Sequence, residues 1–172
     1  MSRIALAAAV AASALITAAL PVTAADAAVP QSTIVSADST FTNTFDCPFP
    51  LQEIISGSYK DTVYFNTAGN LVKEILTAQY GGPLAVTWTN LATGATLSSH
   101  EAATLIVNFN PDGSFASLQN TGLVFNVTIP DHGTVLLDVG RIVIVRNQGI
   151  VFEAGQHQEL NGDTAAFCAA LS

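Results

Sequence analysis

Apolar and polar positions alternate with a period of two through most of this chain, and the alternation is clearest between residues 121 and 156. There, three runs rich in Val, Ile and Leu are separated by Pro130-Asp131-His132-Gly133 and by Arg146-Asn147-Gln148-Gly149. Such runs, bounded by Pro, Asp, Asn and Gly, predict consecutive antiparallel strands. Leu123, Phe125, Val127 and Ile129 alternate with Val124, Asn126 and Thr128, which gives one apolar face.

The same theme recurs earlier at intervals of about ten residues. Leu51, Ile54 and Ile55 form a run that Ser56-Gly57-Ser58 breaks. Val63 and Phe65 alternate with Tyr64 before the turn Thr67-Ala68-Gly69-Asn70. Residues 71–79 fit a strand or a helix, and Tyr80-Gly81-Gly82-Pro83 stops them. Leu84, Val86 and Trp88 line one face of the next strand, so Trp88 is expected in the core. After the turn at Leu91-Ala92-Thr93-Gly94 comes a weak run over 95–102, then Leu105, Val107 and Phe109. Asn110-Pro111-Asp112-Gly113 is a type I turn signal. Phe115 and Leu118 predict a short return strand ending at Asn120-Thr121-Gly122. Asn161-Gly162 turns the chain again, and Asp163 is placed to cap a short helix over 164–171.

The fold class is therefore all-β. About nine or ten hairpin-linked strands predict an antiparallel meander, and a sheet that long must curl, close or split to bury its apolar face. Local connections favour a closed or nearly closed barrel over a sandwich, with the C-terminal helix against one end. Residues 45–172 form the single β domain of this reading. Residues 28–44, rich in Ser and Thr with little periodicity, read as a flexible polar leader.

The first 27 residues change the compartment. Arg3 precedes an Ala-rich apolar run from Ile4 to Leu20, Pro21 ends it, and Ala25-Asp26-Ala27 supplies small residues for cleavage after Ala27. That order is a secretory signal peptide, and the run is too short and Ala-rich for an uncleaved anchor. The expected mature form is secreted, extracellular and without a membrane span. No Cys stands near the cleavage site to take a lipid. Its balance of Lys60, Lys73, Arg141 and Arg146 against twelve carboxylates argues against nucleic acid and anionic membranes as partners.

Cys47 and Cys168 are the two cysteines, and in an exported chain an even count reads as a disulfide. A zinc site is the rival reading. It lacks paired ligand spacing, because His100, His132 and His157 are scattered. Cys47-Pro48-Phe49-Pro50-Leu51, Gly140-Arg141 and Cys168-Ala169-Ala170-Leu171 together resemble a group of small secreted β proteins of actinobacteria. The group carries no assigned activity. The resemblance implies export and Cys47–Cys168 pairing, and it transfers no catalytic residue.

Motifs for chemistry are sparse. No nucleophile elbow, zinc pair or calcium loop is present, so no catalytic residue, metal or cofactor is assigned. Glu53, Glu74, Asp138 and Glu153 fall in predicted strands, where outward-facing acids are the ordinary outcome. Asp138 and Arg141 flank Gly140 in an apolar strand, where a β-bulge would aim both to one side. They are the candidate polar pair of a ligand cavity. The leading functional expectation is a non-catalytic binding or cell-envelope interaction module. A carrier of a small apolar ligand in a hollow barrel, and a barrel enzyme using strand carboxylates, are the alternatives.

Overall fold

The computed structural model describes residues 30–42, 47–78, 82, 84–130, 132–159, 161 and 164–172. The expected signal peptide and the proposed cap Asp163 lie outside them. Within them are β1 (Gln31–Ser36), β2 (Ser39–Thr42), β3 (Leu51–Ser56), β4 (Ser58–Phe65), β5 (Leu71–Thr77), β6 (Leu84–Asn90), β7 (Thr96–Phe109), β8 (Phe115–Ile129), β9 (Gly133–Val145), β10 (Gly149–His157) and α1 (Ala165–Ala170). The all-β class, antiparallel pairing and short C-terminal helix follow the sequence expectation. Every ladder is antiparallel.

Closure does not follow. One path runs β1-β4-β5-β7-β8-β9-β10, and a second branch runs β7-β6-β3-β2. Among the described residues no ladder joins β1 to β10, so the sheet is open where a barrel was expected. It buries its apolar face by splitting. β7 pairs with β6 through residues 96–101 and with β5 through residues 104–108. β8 leaves β7 at Leu123, so its last residues and the start of β9 form a second layer opposite β3 and β6. Between the layers lie Leu51, Val86 and Trp88 from one side, and Phe125, Val127 and Leu136 from the other, with Phe167 of α1 and Leu171 just after it closing the end. Trp88 meets Phe125 and Phe167 edge-on, with ring centroids 5.1 and 5.3 Å away. These are favourable aromatic geometries, and the core position expected for Trp88 is observed.

The split is marked by small residues. Ala103, Gly122, Gly140 and Gly155 are successive cross-strand partners on β7, β8, β9 and β10. Gly140 and Gly155 have φ of 140° and 119°, and a Cβ on either would stand 2.1 Å from a carbonyl oxygen of the facing strand. Only glycine permits backbones that close in that conformation. On the other branch the chain breaks at Ala37-Asp38, between β1 and β2, and at Gly57, between β3 and β4; Ala37 N–H donates to the Gly57 carbonyl at 3.0 Å. A crease therefore crosses the sheet and divides a two-layered end from a single-layered one.

Several local expectations change accordingly. The polar stretch read as a flexible leader holds β1 and β2, because its Ser and Thr residues suit exposed edge strands. Residues 71–77 are a strand, paired on both sides. The weak run at 95–102 and the run at 105–109 are one strand, and Asn120-Thr121-Gly122 lies inside β8 rather than turning. Gly122 serves the crease, a use that its sequence neighbours do not distinguish from a turn. Thr164 stands at the start of α1 and makes no side-chain capping bond. Cys47 and Cys168 are joined, with Cα atoms 5.5 Å apart, and this ties α1 to the lead-in of β3.

Candidate functional site

Strand register sorts charge by face. Directly paired residues share a face and neighbours along a strand oppose each other. Lys60, Thr77, Thr104, Thr121 and Arg141 form one transverse row on the outer face. One residue along, Asp61, Leu76, Leu105, Asn120, Ile142 and Glu153 form a row on the inner face. Lys73 is outside beside Asn108, while Glu74 is inside beside Val107. The inner face continues below the crease through Glu101, Asp138 and Glu53, which pair with Leu84, Phe125 and Trp88. Glu53, Glu74, Asp138 and Glu153 thus all stand on the inner face; Glu53 and Asp138 are buried there, against the expectation of outward-facing acids, while Glu74 is half-buried and Glu153 exposed.

Asp138 and Arg141 do not meet. The bulge of this region lies on β8, between Leu123 and Phe125, and β9 runs without interruption from 138 to 143 against β10. Their odd spacing therefore puts them on opposite faces. Arg141 lies over the Phe152 ring, 5.2 Å from its centroid, and donates to Gln119 Oε1 at 2.8 Å. Asp138, 4% exposed, binds His157 instead. His157 Nδ1 is 2.9 Å from Asp138 Oδ1, and its Nε2 is 3.3 Å from the Ala154 carbonyl oxygen. A carbonyl only accepts, so Nε2 carries a proton in this geometry. The Nδ1 contact is then satisfied by an imidazolium against a carboxylate, or by a proton on Asp138.

Around this pair the two layers bring acids together. Glu101 on β7 is pushed up to about 7, first by burial and then by the charge of Glu53. Glu159, just beyond β10, is pushed up to about 8 by burial, then by Asp138, Glu53 and Glu101. Burial also raises Asp138, against the lowering effects of His157 and of the Glu159 backbone N–H. Glu53 accepts from Trp88 Nε1 at 3.1 Å. Among the described residues, no three such side chains are placed to hold a metal ion. His157, Glu101 and Glu159 had no signal in the sequence: the run Gln156-His157-Gln158-Glu159 looks solvated. Its side chains reach the inner region because Gln158 accepts the Leu137 N–H and holds the chain alongside β9.

No family model, curated protein or solved structure matches this chain. The chemistry must be read from the two halves of the inner face. Below the crease it is packed core with the acid cluster at its upper margin. Above the crease, no second layer covers it among the described residues, since the buried cluster draws on the lower half and α1 packs against β9. This upper face carries Leu76, Leu105, Leu118 and Ile142, all half-buried. Among them the Oδ1 atoms of Asp61 and Asn120 are buried with no hydrogen-bond partner among the described residues. Buried polar atoms without partners are uncommon and costly. Burial raises Asp61, and burial followed by the Asp61 charge raises Glu74.

Proposed function

We propose that this protein is an exported, non-catalytic binding module whose upper inner face takes an apolar ligand bearing a hydrogen-bond donor. The observation that carries the reading is the pair of acceptors, Asp61 Oδ1 and Asn120 Oδ1, that find no partner among the described residues, set among Leu76, Leu105 and Ile142 on a face that no described layer covers. Apolar rows supply affinity through burial, and a few placed polar atoms fix orientation. Unpartnered acceptors select donors, and the carboxylates of Asp61 and Glu74 favour an ammonium or amide over a carboxylate ligand. The ligand lies against an open sheet instead of inside a closed barrel. A dansylated alkylamine titrated into the protein is expected to show saturable binding that Leu105→Gln and Asp61→Asn each weaken about tenfold, the order of one lost contact. Equal binding of a dansylated fatty acid, or indifference to both substitutions, removes this reading.

A second reading, acid–base catalysis at the crease, is favoured by one observation: Glu101 and Glu159 sit at about 7 and 8 beside the Asp138–His157 pair. Carboxyl groups tuned to neutral pH are a mark of active sites as well as of structural burial. Turnover in a hydrolase and isomerase screen that Glu101→Gln abolishes would favour it over the binding module.

A further inference from the structure

The outer edge of β10 is the most exposed part of the sheet. Residues 149–156 are exposed along their whole length, and among the described residues β10 is paired with β9 alone. Ile150, Val151 and Phe152, consecutive residues, are 38, 49 and 45% exposed. Edge strands are usually protected by Lys, Pro or brevity. β10 has nine residues and neither Lys nor Pro. Its one irregularity, at Val151, leaves residues 152–157 in regular register.

We propose that β10 is an interface for a second copy of this chain, paired antiparallel with its own equivalent about a two-fold axis at Ala154. Strand parity selects this partner. The path β1-β4-β5-β7-β8-β9-β10 holds an odd number of antiparallel strands, so β1 and β10 run in the same direction. Head-to-tail joining of β10 to a neighbour's β1, with the inner faces of both copies on the same side, would need a parallel seam, which is the weaker pairing. A two-fold joint of β10 with itself is antiparallel and belongs to the commonest oligomer symmetry.

Register follows from charge and the bulge. In such a joint residues i and j pair when they share a face, so the axis passes midway between a residue and its own copy. Centring on Glu153 sets two carboxylates opposite each other, which is unfavourable. Centring on Phe152 places the Val151 bulge in the seam. Centring on Ala154 sets Phe152 against Gln156 of the copy, and Glu153 against Gly155, over the regular segment alone.

Sedimentation velocity across a range of concentrations tests this on the full mature protein. The expected result is a monomer–dimer equilibrium that Phe152→Lys abolishes and Ile34→Lys, on the opposite edge strand β1, leaves unchanged. A154C reports the register independently. Paired Cα atoms at the axis lie about 4.5–5.5 Å apart, within disulfide reach, so A154C is expected to cross-link covalently under mild oxidation. Q156C, whose copies would stand about 13 Å apart along the seam, is expected not to. A monomer at every concentration overturns the proposal. So does assembly that Ile34→Lys disrupts, and so does cross-linking of Q156C in place of A154C.

Discussion

Stability of this protein should fall as pH rises from about 4.5 to about 8, the reverse of the usual acid lability. Glu101 and Glu159 cause it. Each is an ordinary glutamate in the unfolded chain, at 4.5, and is held up to about 7 and about 8 in the fold. A raised folded-state value means that the native state binds more protons over that interval. The stabilisation is therefore complete below the unfolded value and is lost as pH climbs through the folded one. For Glu101 alone the interval spans about 2.5 units at about 1.4 kcal/mol each, or about 3 kcal/mol. Glu159 acts in the same direction. Its contribution is not simply added, because Glu101 is one of the charges that raise it and the protons leave the cluster as a set. Asp61, Glu74 and Asp138 are also raised and lean the same way. A change of about 3 kcal/mol corresponds to about 10 °C in Tm for a domain of this size.

Differential scanning calorimetry between pH 5 and 8.5, with the disulfide intact, measures this directly. Tm should decline across the range, and Glu159→Gln and Glu101→Gln should each flatten the decline. Both variants should be more stable than the parent at the alkaline end and close to it at the acid end, where Gln mimics a protonated Glu. A flat profile, a profile that rises with pH, or variants that keep the full slope would refute the claim that the layers press these carboxyls together.

Other expectations are as specific. Gly140→Ala should destabilise by about 3 kcal/mol or more, because the new Cβ would stand 2.1 Å from the Ala154 carbonyl at a φ of 140°. Gly94→Ala, at a turn with nothing within 4 Å of its Cβ, should cost only about 1 kcal/mol, and urea titration of the two variants compares them. Reducing the Cys47–Cys168 bond should lower stability by about 4–5 kcal/mol from the entropy of closing a loop of 121 residues, read as a lower urea midpoint. Trp88→Phe keeps most of the apolar volume but takes a donor from Glu53, which is 7% exposed, so unfolding free energy should drop by about 1–3 kcal/mol.

Period-two alternation and turn chemistry, which are local, determined by themselves that the chain is an antiparallel β protein. They placed Trp88 on a buried face, the turn at 110–113 and the C-terminal helix. The pairing of Cys47 with Cys168 was also legible, since only one pairing exists. What the sequence left open were long-range matters. Whether the meander closes depends on how β8 leaves β7 at Leu123, and no residue near Leu123 announces a departure. Gly122, Gly140 and Gly155 look like three unrelated interruptions until pairing sets them side by side as one crease. The same holds for charge. Asp138 and Arg141 lie three positions apart, and a single unseen bulge decides whether they share a face; it fell on β8 instead of β9, so they do not. His157 and Glu159 read as solvent-facing polar residues, and only the layer opposite them turns them into part of a buried acid cluster. A side chain's face follows from its neighbours in sequence, but its surroundings follow from the strand it pairs with, and pairing across a sheet is a property of the whole fold.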